Sequence, residues 1–229
     1  MNHALRFRDR REAGRILARS LQAYANRPDV VVLALPRGGV PVAYEVATAL
    51  HAPLDVFTVR KLGVPGHEEL AMGAVASGGV YVVDRELVGA LGLRPQQFAD
   101  VVQNEVAELS RREAAYRSEC PRPDVRGKTV ILVDDGLATG ASMLAAIAAL
   151  RRLEPARIVV AAPVGAPETC EALRHEVDEV ICAATPSPLV AVGAHYADFR
   201  QTSDDEVREL LDAACEQQKH NWSSSVANL

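Results

Sequence analysis

The chain has 229 residues, 48% hydrophobic and 24% charged, with a formal net charge of −5. That size and balance suit one soluble globular unit. The acidic surplus speaks against a general nucleic-acid or membrane-surface binder, though not against a local basic pocket for phosphates. The four cysteines, Cys120, Cys170, Cys182 and Cys215, form no C-x-x-C pair, so we expect reduced thiols in a cytoplasmic protein, with neither a disulfide framework nor zinc.

Met1 to Arg15 is arginine-rich and unlike a signal segment, and no stretch approaches the ~20 apolar residues that span a bilayer. The first expected helix runs from Asp9, its N-cap, to Tyr24. Ala13, Ile16, Leu17, Leu21 and Tyr24 recur at helical spacing, and Arg10, Arg11, Arg15 and Arg19 lie mostly off that face, as a solvated side. Val30 to Leu35 is a buried-strand signal. It leads through Pro36-Arg37-Gly38-Gly39 into a helix over Val40 to Leu50, with Pro41 near its start.

Pro53 to Val59 reads as another strand, with Arg60 and Lys61 at its C-terminal end, on the edge shared with Arg37. Leu62 to Met72, carrying His67 and Glu69, reads as a loop with hinge-like ends. A hairpin around Ser77-Gly78-Gly79 should join Ala74–Ala76 to Val80–Val83. Asp84 to Glu119 is helical in character and broken by Gly89, Gly92 and Pro95. Phe98, Val101, Val102, Glu105, Val106 and Leu109 keep helical spacing with one charged member. Core packing is the first reading of this insertion. A cover over the site, or an oligomer interface such as a homodimer would use, is the alternative.

After the polar loop from Cys120 to Lys128, Val130 to Val133 should be a strand covered on both faces, followed by Asp134-Asp135, the small-residue loop Gly136 to Gly140, and a helix from Ala141 to Leu153. Arg157–Ala161, Pro167–Glu176 and Glu179–Cys182 continue the alternation as strand, helix and strand. Repeated β–α units call for an α/β fold, a doubly wound parallel sheet. Past Ala183 the alternation stops. Tyr196, Asp198 and Phe199 stand out in a chain that is only 4% aromatic. A last helix, Ser203 to Cys215, opens on a capping box of Ser203 and Glu206. We read 1–229 as a single unit: a core over about 28–183, a helical insertion over 84–119, a hood over 184–202 joined by the helix at 9–25, and a disordered polar tail over 217–229.

Thr129 to Ser142 carries the chemistry. A loop that opens a helix offers unpaired amides and the positive end of the helix dipole to a phosphate, with Gly136 and Gly140 allowing close approach and Thr139 and Ser142 adding hydroxyls. Two carboxylates beside it accept from vicinal sugar hydroxyls. Strand, acidic pair and Gly/Thr/Ser loop together resemble the phosphoribosyl-diphosphate (PRPP) motif of the type I phosphoribosyltransferases.

That resemblance implies that Gly136, Leu137, Ala138, Thr139, Gly140 and Ser142 hold the 5-phosphate. It also implies that Asp134 and Asp135 orient the ribose, and that Arg37, Gly38, Gly39, Arg60 and Lys61 grip the pyrophosphate. Of these, Asp134, Asp135, Arg37 and Lys61 would be the catalytic set. A strained or cis peptide near Arg37 is a further family expectation. The 62–72 loop would close over PRPP with His67 or Glu69 meeting the substrate, and Tyr196, Asp198 and Phe199 would form a hood for the acceptor. Mg²⁺ would be carried mainly by the diphosphate, ribose hydroxyls and water rather than by a protein cage, with Asp134 and Asp135 the nearest side chains.

The P-loop and dinucleotide fingerprints are absent, as are H-E-x-x-H and G-x-S-x-G. The expected activity is Mg²⁺-dependent transfer of a phosphoribosyl group from PRPP to a nitrogen nucleophile such as a nucleobase, releasing pyrophosphate. The alternative is a non-catalytic module that binds PRPP or a nucleotide as a signal.

Overall fold

The computed structural model describes residues 6–116 and 120–226. Five parallel strands form the central sheet, in the order β2-β1-β6-β7-β8. They are β1 (Val30–Ala34), β2 (Leu54–Val56), β6 (Thr129–Val133), β7 (Arg157–Val164) and β8 (Glu179–Ala184). Alternate side chains enter opposite cores, as the two-residue period of a strand demands. Val30, Val32, Ile131 and Val133 face α1 (Arg10–Ser20), α2 (Gly39–Leu50) and α7 (Asp204–Val226), packing with Leu17, Val46 and Leu211. Val31, Leu33, Val130 and Leu132 pack instead with Met143 and Ile147 of α5 (Ala141–Leu150) and Leu173 of α6 (Pro167–Arg174). The doubly wound sheet is therefore dictated by strand runs that are apolar on both faces.

The strand order reverses direction between β1 and β6. From β1 the chain moves outward to β2, and from β6 it moves the other way through β7 to β8. A crevice opens at the carboxyl ends of two strands that diverge in this way. Here Ala34 is in register with Val133, and the Leu35 amide donates to the Val133 carbonyl at 2.9 Å.

Three sequence expectations change. The strand expected over Pro53 to Val59 stops at Val56, and Arg60 and Lys61 lie inside a separate strand, β3 (Val59–Val64). The expected 62–72 loop is a hairpin of β3 with β4 (His67–Ala76), and β4 pairs in turn with β5 (Val80–Val83). Apolar burial explains this: Leu62, Val64, Met72 and Val75 pack against Phe98, Val101 and Val102. Two glycines of the sheet, Gly63 and Gly73, are close-approach positions. A Cβ on Gly63 would lie 2.8 Å from the Glu68 carbonyl oxygen, and one on Gly73 would lie 2.2 Å from that of Val82.

The insertion is helical as expected. It contains α3 (Arg85–Ala90), capped by the Asp84 side chain, and α4 (Pro95–Tyr116), whose charged stripe member Glu105 pairs with Arg60.

The third change concerns the end of the chain. Cys120 and Cys215, expected as free thiols, form a disulfide that joins the segment after α4 to α7. Their separation of 95 residues left no local spacing to read. Helix α7 also continues past Cys215 to Val226, through most of the stretch expected to be disordered. Among the described residues, no helix is long and apolar enough to cross a membrane.

Candidate functional site

Asp134 and Asp135 stand at the carboxyl end of β6, where the sheet can no longer cover them. The Asp134 carboxylate folds back so that its Oδ1 accepts the Asp135 amide at 2.8 Å. Asp135 Oδ2 accepts from Arg10 Nε at 2.8 Å, and the Asp135 carbonyl accepts the Tyr196 hydroxyl at 2.6 Å. These contacts use one oxygen of each carboxylate. Burial and the adjacent Asp135 push the Asp134 carboxyl well above the usual carboxylate range. Burial raises that of Asp135 as well, against the opposing pull of Arg10.

The loop after β1 meets this acidic pair directly. The Pro36–Arg37 peptide is cis, matching the family expectation. Gly38 and Gly39 run so close beneath the acids that side chains are excluded. A Cβ on Gly38 would sit 2.0 Å from Asp135 Oδ2, and one on Gly39 would sit 2.7 Å from the Val133 carbonyl oxygen. The Arg37 guanidinium, partly exposed, reaches Asp204 at the start of α7 with a separation of 3.5 Å. Tyr116 donates to the same Asp204 oxygen at 3.0 Å.

The loop from Gly136 to Gly140 is anchored from one side and open on the other. The Leu137 amide donates to the Val164 carbonyl at 2.9 Å, its own carbonyl accepts from Ala166, and its side chain is buried. Leu137 is thus the staple of the loop and leaves the set of expected phosphate donors. Thr169 of α6 donates its hydroxyl to the Ala138 carbonyl. Ala138, Thr139 and Ser142 are exposed, and Gly140 takes the left-handed conformation (φ 71°) that starts α5. Amides at the open end of a helix of this kind are suited to an anion.

Other expected residues divide. Arg60 is paired with Glu105 of α4, and Lys61 is exposed on β3 opposite Ala74, so both belong to the small antiparallel sheet. His67 is the exposed first residue of β4, and the Glu69 side chain lies outside the described residues. Tyr196, expected as a stacking surface, is a buried anchor with 3% exposure, tilted against Phe7 on one side and Phe199 on the other. Asp198 binds the exposed Arg200 through both carboxylate oxygens. Phe199 keeps 37% exposure.

Sequence reasoning missed Phe7 and Arg10. Phe7 bridges to Tyr196, its amide donating to the His195 carbonyl and its carbonyl accepting from Ala197. Arg10, read as solvated, has a side chain only 11% exposed. No local signal sets it apart from Arg11, which shares the first turn of α1 and is exposed. Arg10 also lines a cleft of about 420 Å³ together with Pro41, Asp198, Arg200 and Glu206.

Comparison with known proteins gives a consistent answer. The family model described as "Phosphoribosyl transferase domain" matches residues 8–198. A Mycobacterium tuberculosis H37Rv protein provisionally named a phosphoribosyl transferase is 45% identical over 208 residues, or 91% of this chain and 47% of that protein. The chain spans about half the length of the curated relatives it matches. The crystal structure of TT1426 from Thermus thermophilus is 42% identical with a TM-score of 0.81, covering 91% of this chain and 98% of that one.

Proposed function

Since the chain belongs to the phosphoribosyl transferase domain family, we propose that it transfers the 5-phosphoribosyl group of PRPP to a nitrogen nucleophile and releases pyrophosphate. The observation that carries this reading is the interlock at the switch point. The side-chain-free Gly38-Gly39 backbone lies against the Asp134–Asp135 pair, and an open helix N-terminus begins four residues beyond Gly136. A sugar bearing a phosphate at one end and a diphosphate at the other would span these three features.

The 5-phosphate takes the amides of Ala138, Thr139 and Gly140 and the hydroxyls of Thr139 and Ser142. The free oxygens of Asp134 and Asp135 accept from the ribose hydroxyls. The diphosphate lies over Gly38 and Gly39, and Arg37 leaves Asp204 to meet it, adding charge where the leaving group develops its own. Lys61 contributes only if its strand approaches in the liganded state. The acceptor enters from the cleft bordered by Arg10 and Asp198. Mg²⁺ fits the hard oxygen donors of such a ligand, and when bound it supplies positive charge to the departing diphosphate.

The packed hairpin at 59–76 favours a second reading. Where the family has a loop that closes over PRPP, this chain has a strand pair with its own buried core, which suits a module that binds without turnover. Pyrophosphate release from PRPP that depends on an added base, across a panel of acceptors, separates the two. Calorimetry on the Asp134→Asn, Asp135→Asn double variant tests the site itself: PRPP binding is expected to vanish, and undiminished binding would reject it.

A further inference from the structure

We propose that Arg10 is the positioning residue of the sugar site, aiming Asp135 at the ribose hydroxyls from the first turn of α1. The proposal rests on the ribose reading above.

Its geometry is specific. Arg10 and Asp135 are 125 residues apart in sequence, yet their side chains meet at 2.8 Å with exposures of 11% and 16%. A charged pair this sheltered is held by its surroundings. The guanidinium carbon lies 4.0 Å from the centroid of the Phe199 ring, and Nη1 donates to the Arg200 carbonyl at 2.7 Å. Three contacts therefore fix one side chain: the acid in front, an aromatic face, and a carbonyl from the 196–200 segment. That segment is itself tied to the residues before α1 by the Ala197 and Asp198 amides, which donate to the Phe7 and Arg8 carbonyls.

The same oxygen is also walled by Gly38, whose absent Cβ would overlap Oδ2 and lie 3.4 Å from Arg10 Nε. Asp135 is thus confined at Oδ2 by a backbone wall and a guanidinium together, with Oδ1 left for a ligand. Without Arg10, two adjacent carboxylates would repel one another without the cation that now offsets their charge, and Asp135 would be free to rotate.

A ligand-modification cycle tests this. Calorimetry would compare ribose 5-phosphate with 2-deoxyribose 5-phosphate, which keeps the phosphate and loses one hydroxyl. Wild type is expected to favour the ribose form. Arg10→Gln should weaken ribose 5-phosphate about tenfold or more and the deoxy sugar less than about threefold, so that discrimination collapses. Arg10→Lys, which keeps the charge, should restore part of it. In an Asp135→Asn background the Arg10→Gln substitution should add little.

Equal losses for both sugars would overturn the proposal, as would a full Arg10→Gln effect in the Asp135→Asn background. Should Arg10→Gln fail to fold, Phe199→Ala removes the platform under the guanidinium and should lower discrimination severalfold; unchanged discrimination there also overturns it. Wild type that binds neither sugar phosphate defeats the ribose reading and this inference with it, whereas a wild type that discriminates beside an Arg10→Gln protein that does so equally well defeats the Arg10 role alone.

Discussion

Gly38→Ala should damage ligand binding with little damage to the fold, and the neighbouring Gly39→Ala should do the reverse. Gly38 has φ −59° and ψ −33°, ordinary helical values that alanine adopts freely. The new methyl restricts the unfolded chain, which by itself favours folding by about 0.4–1 kcal/mol. Its collision partner is the Asp135 carboxylate, 2.0 Å away at Oδ2 and 2.7 Å at Cγ. Contacts shorter than about 3 Å do not persist, so the acid must retreat by roughly 1 Å, and a side chain can do so by rotating. Losing the charge-assisted hydrogen bonds of the displaced acid to the sugar costs about 1.5–3 kcal/mol, roughly 10- to 100-fold in affinity.

At Gly39 the obstacles are the Val133 carbonyl oxygen at 2.7 Å and Asp134 Cα at 3.0 Å. Backbone at the end of β6, its Val133 carbonyl already held by the Leu35 amide, cannot rotate aside, and overpacking there should cost about 1–3 kcal/mol. Denaturant melts and calorimetry with ribose 5-phosphate on both variants give the comparison. A Gly38→Ala protein that binds like wild type would refute the reasoning, since Asp135 could then be displaced without consequence.

Two further outcomes follow from charge and covalent linkage. Asp134 has a carboxyl raised in the folded protein by burial and by Asp135, so the folded state holds that proton more tightly than the unfolded chain. Its cost to stability is absent near the unfolded value of 3.8, grows as pH rises towards the raised folded value, and is then constant. Asp134→Asn should therefore melt at a higher temperature than wild type at pH 8 and at nearly the same temperature at pH 4; an equal gain at both would show that the carboxylate charge is not the cause. Reduction of Cys120–Cys215, which closes a loop of 95 residues, should lower stability by about 2–4 kcal/mol, read as a drop in melting temperature on adding dithiothreitol. A Cys215→Ser protein should be insensitive to the reductant, and a wild type that is equally insensitive would show that the bond contributes nothing.

The central sheet was legible because its inner strands carry their burial in their own letters. Val30 to Ala34, Val130 to Val133 and Ile158 to Ala161 are apolar at successive positions, a pattern only a strand covered on both faces explains. The 62–72 segment was misread for the opposite reason. Gly63, Pro65 and Gly66 outweigh its apolar residues locally. What makes it a strand pair is the stripe of Phe98, Val101 and Val102 on α4, some thirty residues later. Glu105 shows the same dependence, an odd charge in a helical stripe until Arg60 of β3 is placed against it. The Cys120–Cys215 bond joins segments whose proximity depends on how α4 and α7 pack.

The candidate site follows this division. Its parts contributed by single loops, the acids at 134–135, the glycines at 38–39 and the helix start at 140–142, could be named from sequence, because strand, turn and helix-start chemistry are local. The contacts that set the state of those parts are long-range: Arg10 on Asp135, Tyr196 beneath its carbonyl, Asp204 beside Arg37 and Val164 on the Leu137 amide. Each removes or fixes a group that local reading leaves free. Leu137 sits within the phosphate loop yet holds it to β7 instead of donating to an anion. Arg10 sits on a helix face rich in arginine, yet it is sheltered while Arg11 and Arg15 both reach Glu45 from exposed positions. Periodicity places all three near the surface. The selection of Arg10 depends on Phe199 and Arg200 arriving from the far end of the chain, so it becomes visible only after the fold has closed.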